Sequence, residues 1–332
     1  MIRYGLLGFG HHCEKRLVPA FPTARASSLA GLWRRDLKKA AENGREYSIE
    51  HVFATADELC ASSAIDAVFV TSPDALHLPD VLLALKHGKP VLCEKPLGMS
   101  ADEVTQMLAA AERAGQRLGV AQNMRYHRSL EVMREWIAEG RIGRPVLANA
   151  QFCYAAEGSP RRWIYDAALA CGGPIGDVGI HCIDALRFLL NTRVAAVNTL
   201  ARADELSAPL EASAAIGLDF ANGAMGAVTV STRGAYRSMI EVTGETGTIS
   251  SEYGMTVDTN IDVVLWQAGI AQERKTVSSA DGYTRMLDSF SDWVEGRGEF
   301  RATAADGLHN QMVLDAAYES WRTGKKETIL GA

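Results

Sequence analysis

Short, continuously apolar runs alternate with amphipathic stretches through about the first 120 residues. IRYGLLGF (2–9) predicts a strand, followed by a helix reaching Pro19. SSLAGLW (27–33) predicts a second strand and RDLKKAAENGREY (35–47) a helix. AIDAVFVTS (64–72) predicts a third strand, ended by Pro73, and DALHLPDVLLALKHG (74–88) a helix closed by Gly88. KPVLCEKP (89–96) predicts another strand. Ser100 and Glu103 predict a capping box for SADEVTQMLAAAERAG (100–115), which Gly115 stops. QRLGVAQ (116–122) completes the set. Strands that are apolar without alternation need cover on both faces, so this half predicts a doubly wound parallel α/β sheet.

The pattern changes from about residue 145. In AIGLDFANGAMGAVTVST (215–232), Ile216, Leu218 and Phe220 share one face, and Asn222-Gly223 predicts a hairpin turn before a second alternating run. Strand-like runs recur at 236–252 and 261–277. Two helical stretches close the chain, with stripes Met286, Leu287, Phe290, Trp293, Val294 and Leu308, Met312, Ala316, Ser320. Stripes at that spacing read as core. The second half therefore predicts α+β with a mostly antiparallel sheet, and the chain divides into domains 1–122 and 123–332.

Composition narrows the function. The 332 residues are 47% hydrophobic and 22% charged, with a net charge of −6. That balance lacks the basic face of a nucleic-acid binder. No apolar run approaches the roughly 18–20 residues that span a bilayer, and the N-terminus lacks a leader pattern. Cysteines 13, 60, 93, 153, 171 and 182 form no Cys-x-x-Cys pair. Scattered thiols of this kind lead us to expect a reducing, cytoplasmic setting.

The stretch GLLGFGHHCEKR (5–16) poses a choice between a phosphate-cradling turn and a metal site. Gly8-x-Gly10 follows the first strand and opens a helix, the context of a dinucleotide turn. Gly8 permits the tight turn, Gly10 lets backbone approach a pyrophosphate, and Cys13 stands where a third glycine is usual. Adjacent histidines point in different directions, whereas a chelating pair prefers i and i+4. We therefore place Phe9, His11 and His12 at a cofactor and expect no metal. At the end of the second strand stand Arg34 and Arg35, with Lys39 nearby. Two guanidinium groups suit a 2′-phosphate, which favours NADP over NAD, while Asp36 caps the next helix or turns to a ribose.

Two further stretches carry chemistry. KHGKPVLCEKPLGMS (86–100) holds Glu94-Lys95-Pro96, and CGGPIGDVGIHCIDALRFLL (171–190) holds Asp177, His181 and Asp184. With the glycine turn, with AIDAVFVTSPDALH (64–77) and with AAYESWRTGK (316–325), the chain resembles the Gfo/Idh/MocA oxidoreductase family along nearly its whole length. That family includes glucose-fructose oxidoreductase and inositol dehydrogenase. The resemblance implies a Rossmann domain and an α+β domain whose open sheet builds a homodimer or homotetramer. It implies a nicotinamide cofactor and a sugar, polyol or related small molecule as substrate. It makes Lys95 catalytic with Asp177 and His181 as partners. It sets Thr71, Ser72, Pro73, His77, Glu94 and Asn123 along the cofactor cleft. Cys13 and Cys171 depart from glycines of the family pattern.

The residues themselves support these roles. Lys95 falls just past a parallel strand, where open α/β sheets bind ligands, and its ammonium can polarise a carbonyl or stabilise an alkoxide. His181 can take a hydroxyl proton as hydride leaves the same carbon. Asp177, four residues before it, can bind substrate hydroxyls or orient the imidazole. Whether Lys95 or His181 accepts the proton stays open. Arg125, Trp163 and Tyr165 are expected on the substrate side; Arg161 and Arg162 could meet an anionic substrate group but read more simply as a solvated pair. Two other functions are compatible with the resemblance: a redox-assisted glycosidase with no net oxidation, and a non-catalytic nucleotide-binding sensor. A zinc enzyme built on the histidines is a further alternative.

Overall fold

Strand β1 (Ile2–Leu7) is buried at five of six positions, as a central parallel strand must be. Around it stand β2 (Ser27–Trp33), β3 (His51–Val52), β4 (Ala67–Val70), β5 (Val91–Cys93) and β6 (Leu118–Val120). The order is β3-β2-β1-β4-β5-β6, all parallel. The connecting α-helices are α1 (Leu37–Glu46), α2 (Ala56–Ala61), α3 (His77–Lys86) and α4 (Ala101–Ala114). The order reverses between β1 and β4, and the crevice at such a switch point is where open α/β sheets bind ligands. The computed structural model describes residues 1–329 of the chain.

Local chemistry accounts for several helix ends. Asp36 caps α1 by accepting the Lys39 N–H at 3.1 Å. Ser100 accepts the Glu103 N–H, and Gly115 takes the left-handed conformation that stops α4. The Glu103 carboxylate reaches one residue further back than a capping box requires, to the Met99 N–H. The expected helix after β1 is irregular. A π-helical turn spans Cys13–Leu17 and a 3-10 turn spans Val18–Thr23. Pro19 and Pro22 each lack an N–H and cannot continue the α ladder.

The described residues divide into two units, 1–121 with 283–308, and 122–282 with 309–329. An expected division at 122/123 differs from this packing in one segment. Helix α7 (Gly282–Val294) belongs largely to the first unit. Its stripe of Met286, Leu287 and Phe290 is fully buried there. The Tyr4 hydroxyl bonds Ser291 at 2.9 Å, Asp288 accepts the Ala26 N–H, and Phe290 and Phe300 close over Gly119, where no side chain fits.

The second unit contains α5 (Arg128–Ala138), β7 (Pro145–Cys153), α6 (Ile180–Leu190), β8 (Val194–Arg202), β9 (Ser213–Phe220) and β10 (Met225–Ser231). It continues with β11 (Ile240–Gly244), β12 (Thr248–Ser251), β13 (Asn260–Gln267), β14 (Ile270–Ser278), most of α8 (Ala304–Thr323) and β15 (Glu327–Thr328). The sheet order is β14-β13-β12-β11-β7-β10-β9-β8-β15. All neighbours are antiparallel except β7 and β10. The β9–β10 hairpin turns at Asn222-Gly223, with Gly223 at φ +86°. Alternation buries one face: Ile216, Leu218, Val228 and Val230 join Leu186, Leu189 and Leu314 in one core. On the other face Leu147, Leu200 and Met225 are exposed.

Candidate active site

The turn after β1 is shaped by what will not fit there. Gly8 has φ +92°, and a Cβ on it would lie 2.7 Å from the Ser72 nitrogen. The Thr71 hydroxyl donates to the Gly8 carbonyl and so joins the ends of β1 and β4. Around Gly10 the reverse holds, since a Cβ would meet no atom of the described residues within 4 Å, and its backbone is open to close approach. Cys13 is buried under the turn, its thiol 3.2 Å from the Thr71 hydroxyl, and burial pushes that thiol up to about 11. A small side chain thus does the packing of the third glycine. The turn fits a dinucleotide pyrophosphate: one glycine for shape, one for access, and a helix start behind them. Phe9 corrects one expectation, because its ring packs inward against Tyr47 and only its backbone faces the turn.

The three chemical residues of the metal alternative are separated in use. His11 is exposed, Cys13 is sealed below, and His12 binds Glu94 at 3.1 Å. Burial raises the Glu94 carboxyl, but the adjacent His12 and Lys95 bring it below its ordinary value. This contact ties the glycine turn to the Glu94-Lys95-Pro96 segment at the C-terminal end of β5. His77 ties the other side. It is fully buried in α3, with Nδ1 2.8 Å from the Pro96 carbonyl and Nε2 3.0 Å from the Ser72 carbonyl. His77 is therefore not exposed to a cleft, as expected of it, but braces the Ser72 and Pro96 segments against each other. Ser72 is also buried, and its hydroxyl donates to Asp80 at 2.6 Å. Thr71, Pro73 and Lys95 are half-buried.

At the end of β2, Arg34 is half-buried and donates to the Asn43 side chain at 2.7 Å, and Asn43 in turn reaches Glu14. Arg35 and Lys39 are exposed. Asp36 is committed to its cap, where the Lys39 N–H holds its carboxyl below the ordinary range.

In the second unit, a π turn over Ile175–Gly179 runs into α6, placing Asp177 in the turn and His181 in the first turn of the helix. Such turns recur at functional sites. Arg161 grips both Asp177 oxygens, Nη1 to Oδ1 and Nη2 to Oδ2 at 3.1 Å each, and the Tyr154 hydroxyl donates to Oδ2. The Asp177 charge holds Arg161 more firmly protonated, while burial, with Asp177, raises the Tyr154 hydroxyl. Arg161 is therefore part of the site and not a solvated residue; its side chain is 26% exposed. Arg162 is exposed. Tyr154, Ile164, Tyr165, Gly173, Asp177 and Glu211 line a small pocket beside this cluster. His181 is half-buried near the Phe152 ring.

Arg125 corrects a further expectation. Its guanidinium is buried in a two-point pair with Asp184, 2.9 and 2.7 Å, under α6. Burial pushes the Asp184 carboxyl up, but Arg125 above all, with Arg187 and Asn310, brings it below the ordinary range. Arg125 therefore holds the His181 helix and is not available to substrate. Tyr165 lines the pocket, Trp163 is half-buried, and Asn123 is buried. Sequence reasoning missed Tyr154 and Glu211, which lie in stretches without a motif. The two glycines after Cys171 were the available signal, since they mark a place where other groups approach backbone.

Comparison with known proteins bears on the same segments. Residues 2–122 match the model of an oxidoreductase family with an NAD-binding Rossmann fold, and residues 130–250 match the Gfo/Idh/MocA C-terminal domain. The 1,5-anhydro-D-fructose reductase of Ensifer adhaerens is 28% identical over 99% of both chains. An NADP-dependent D-xylose 1-dehydrogenase of Haloferax volcanii is 28% identical over 97% of this chain and 98% of that one. The crystal structure of an aldose-aldose oxidoreductase from Caulobacter crescentus superposes with a TM-score of 0.90 at 24% identity, covering 98% and 99% of the two chains. A switch-point glycine turn, a lysine after β5 and an Asp-His helix, set in these two matched domains, make this chain a member of the Gfo/Idh/MocA family of oxidoreductases.

Proposed function

We propose that the protein is an NADP-preferring dehydrogenase or reductase of a sugar, polyol or related small molecule, acting at a secondary alcohol or carbonyl. The observation that carries the reading is the bracing of Lys95. Glu94 on one side binds His12 of the glycine turn, and Pro96 on the other binds His77. The backbone that carries the Lys95 amine is thereby held beside a turn shaped for a dinucleotide. Nicotinamide, when bound, supplies or accepts the hydride. Lys95 polarises the carbonyl or stabilises the alkoxide, and His181 holds or releases the hydroxyl proton. Asp177, fixed by Arg161 and Tyr154, accepts hydrogen bonds from substrate hydroxyls. Arg34 and Arg35 support the choice of NADP, as does the NADP dependence in the name of the Haloferax relative.

Supporting a homodimer or homotetramer, the exposed face of the second sheet carries Leu147 beside Met225, and Leu200 further along the register. Sedimentation of the purified protein reads the assembly directly; a monomer at micromolar concentration sinks that part. For the chemistry, aldoses, anhydro sugars and inositols are screened with NAD and NADP by absorbance of the reduced nicotinamide. The best pair is then repeated with Lys95→Ala. A fall of about a hundredfold or more in kcat is expected, with NADPH still bound. Unchanged turnover in the variant, or no nucleotide binding by the wild type, overturns the reading.

A further inference from the structure

We infer that Glu211, assisted by Tyr318, is a positioning residue for the Asp177–His181 segment. The inference rests on the functional reading above. Pro174 has no N–H, so the turn entering this segment offers donors only on either side of it, at Gly173 and Ile175. Glu211, which lies between β8 and β9 and is 1% exposed, takes both. Its Oε2 accepts the Gly173 N–H at 3.1 Å and its Oε1 accepts the Ile175 N–H at 2.8 Å. The Tyr318 hydroxyl, from α8, donates to the same Oε1 at 3.2 Å. The Gly173 carbonyl then accepts the Asp177 N–H at 3.0 Å. A continuous chain of hydrogen bonds thus runs from α8 through a buried carboxylate to the backbone of Asp177.

The glycines show how close this contact is. A Cβ on Gly172 would land on the Tyr318 hydroxyl, and one on Gly173 would land on the Glu211 carbonyl. The two glycines are therefore the imprint of Glu211 and Tyr318 on the motif. A carboxylate is the group the place requires, because two converging N–H donors at a helix start need acceptors on both sides. Glutamine keeps the shape but turns one NH2 toward an N–H. Glu211 also lines the pocket that holds Asp177 and Tyr165. Burial raises its carboxyl against the pull of those donors.

The test compares Glu211→Gln and Tyr318→Phe with Ser320→Ala. Ser320 is a buried hydroxyl of the same unit that accepts the Thr199 N–H away from Asp177, so its loss destabilises without touching the turn. Each variant is melted, titrated with NADPH by fluorescence, assayed on the best sugar of the screen, and examined by NMR of labelled histidine, with His181 assigned through His181→Asn. In Glu211→Gln, kcat/KM is expected to fall about ten- to a hundredfold, NADPH affinity to change less than twofold, and the His181 signal to move. Tyr318→Phe is expected to lose about threefold or more and keeps the test decisive if Glu211→Gln does not fold. Wild-type kinetics and an unmoved His181 signal in the folded variants overturn the inference, as does an equal loss in Ser320→Ala. Lys95→Ala is assayed alongside. If it turns over normally the functional reading fails; if it is dead while Glu211→Gln is normal, only this inference fails.

Discussion

In the first unit the glycine turn is built from backbone: a positive φ at Gly8, an open Gly10, and carbonyls held by Thr71 and His77. In the second unit the Asp177–His181 segment is built from side chains that arrive from elsewhere. Arg161 and Tyr154 grip Asp177, Glu211 grips the turn before it, and Arg125 and Asn310 grip Asp184. The difference follows from what the proposed function asks each to hold. A pyrophosphate is bound by N–H groups, which any sequence supplies once the turn is right. In the proposed reading, the second segment must present particular side chains at fixed positions, and these need buried polar partners of their own. The first design fails by steric insertion and the second by losing one charge of a buried set.

The largest effect is expected at Asp184. Asp184→Ala leaves Arg125 buried without its carboxylate and should cost about 3–5 kcal/mol, read as a lower denaturant midpoint. A loss under 1 kcal/mol would mean that the second unit does not depend on this network. The glycine turn is tested next. Gly8→Ala is expected to weaken NADPH binding about a hundredfold and to lower the melting temperature, since its side chain meets Ser72. Gly10→Ala is expected to leave the melting temperature unchanged while weakening NADPH about tenfold, because only a bound pyrophosphate competes for that space. Equal melting losses in both would break the distinction between shape and access.

His309 gives a pH dependence. It is buried and accepts the Val194 N–H at 3.1 Å; burial, with Arg187 and Arg193, pushes it down to about 3. An unfolded histidine protonates near pH 6.5. Between about 6.5 and 3 the unfolded chain therefore binds the extra proton. Stability is full above this window and is lost as pH falls through it, by up to about 1.4 kcal/mol per unit. Melting curves of His309→Gln should show a flatter acid limb; an identical limb removes His309 as the cause. The most selective effect is expected for Arg34→Ala with Arg35→Ala, a loss of about tenfold for NADP against little for NAD. Equal losses for both nucleotides would place the 2′-phosphate elsewhere.

The chain alone determined the elements that rest on neighbouring residues. Apolar runs set β1, β2 and β4, Asp36 and Ser100 set helix starts, and Asn222-Gly223 set a hairpin, because each signal acts within a few residues. The glycine turn, Glu94-Lys95-Pro96 and the Asp177–His181 spacing were legible for the same reason. Tertiary structure alone decided which polar side chains meet. Arg125 turned from substrate to Asp184, His77 from cleft to brace, Arg161 from solvent to Asp177, and α7 joined the first unit. Those partners are up to hundreds of residues apart, and burial forces each charge and each N–H to find one. No local pattern carries that pairing.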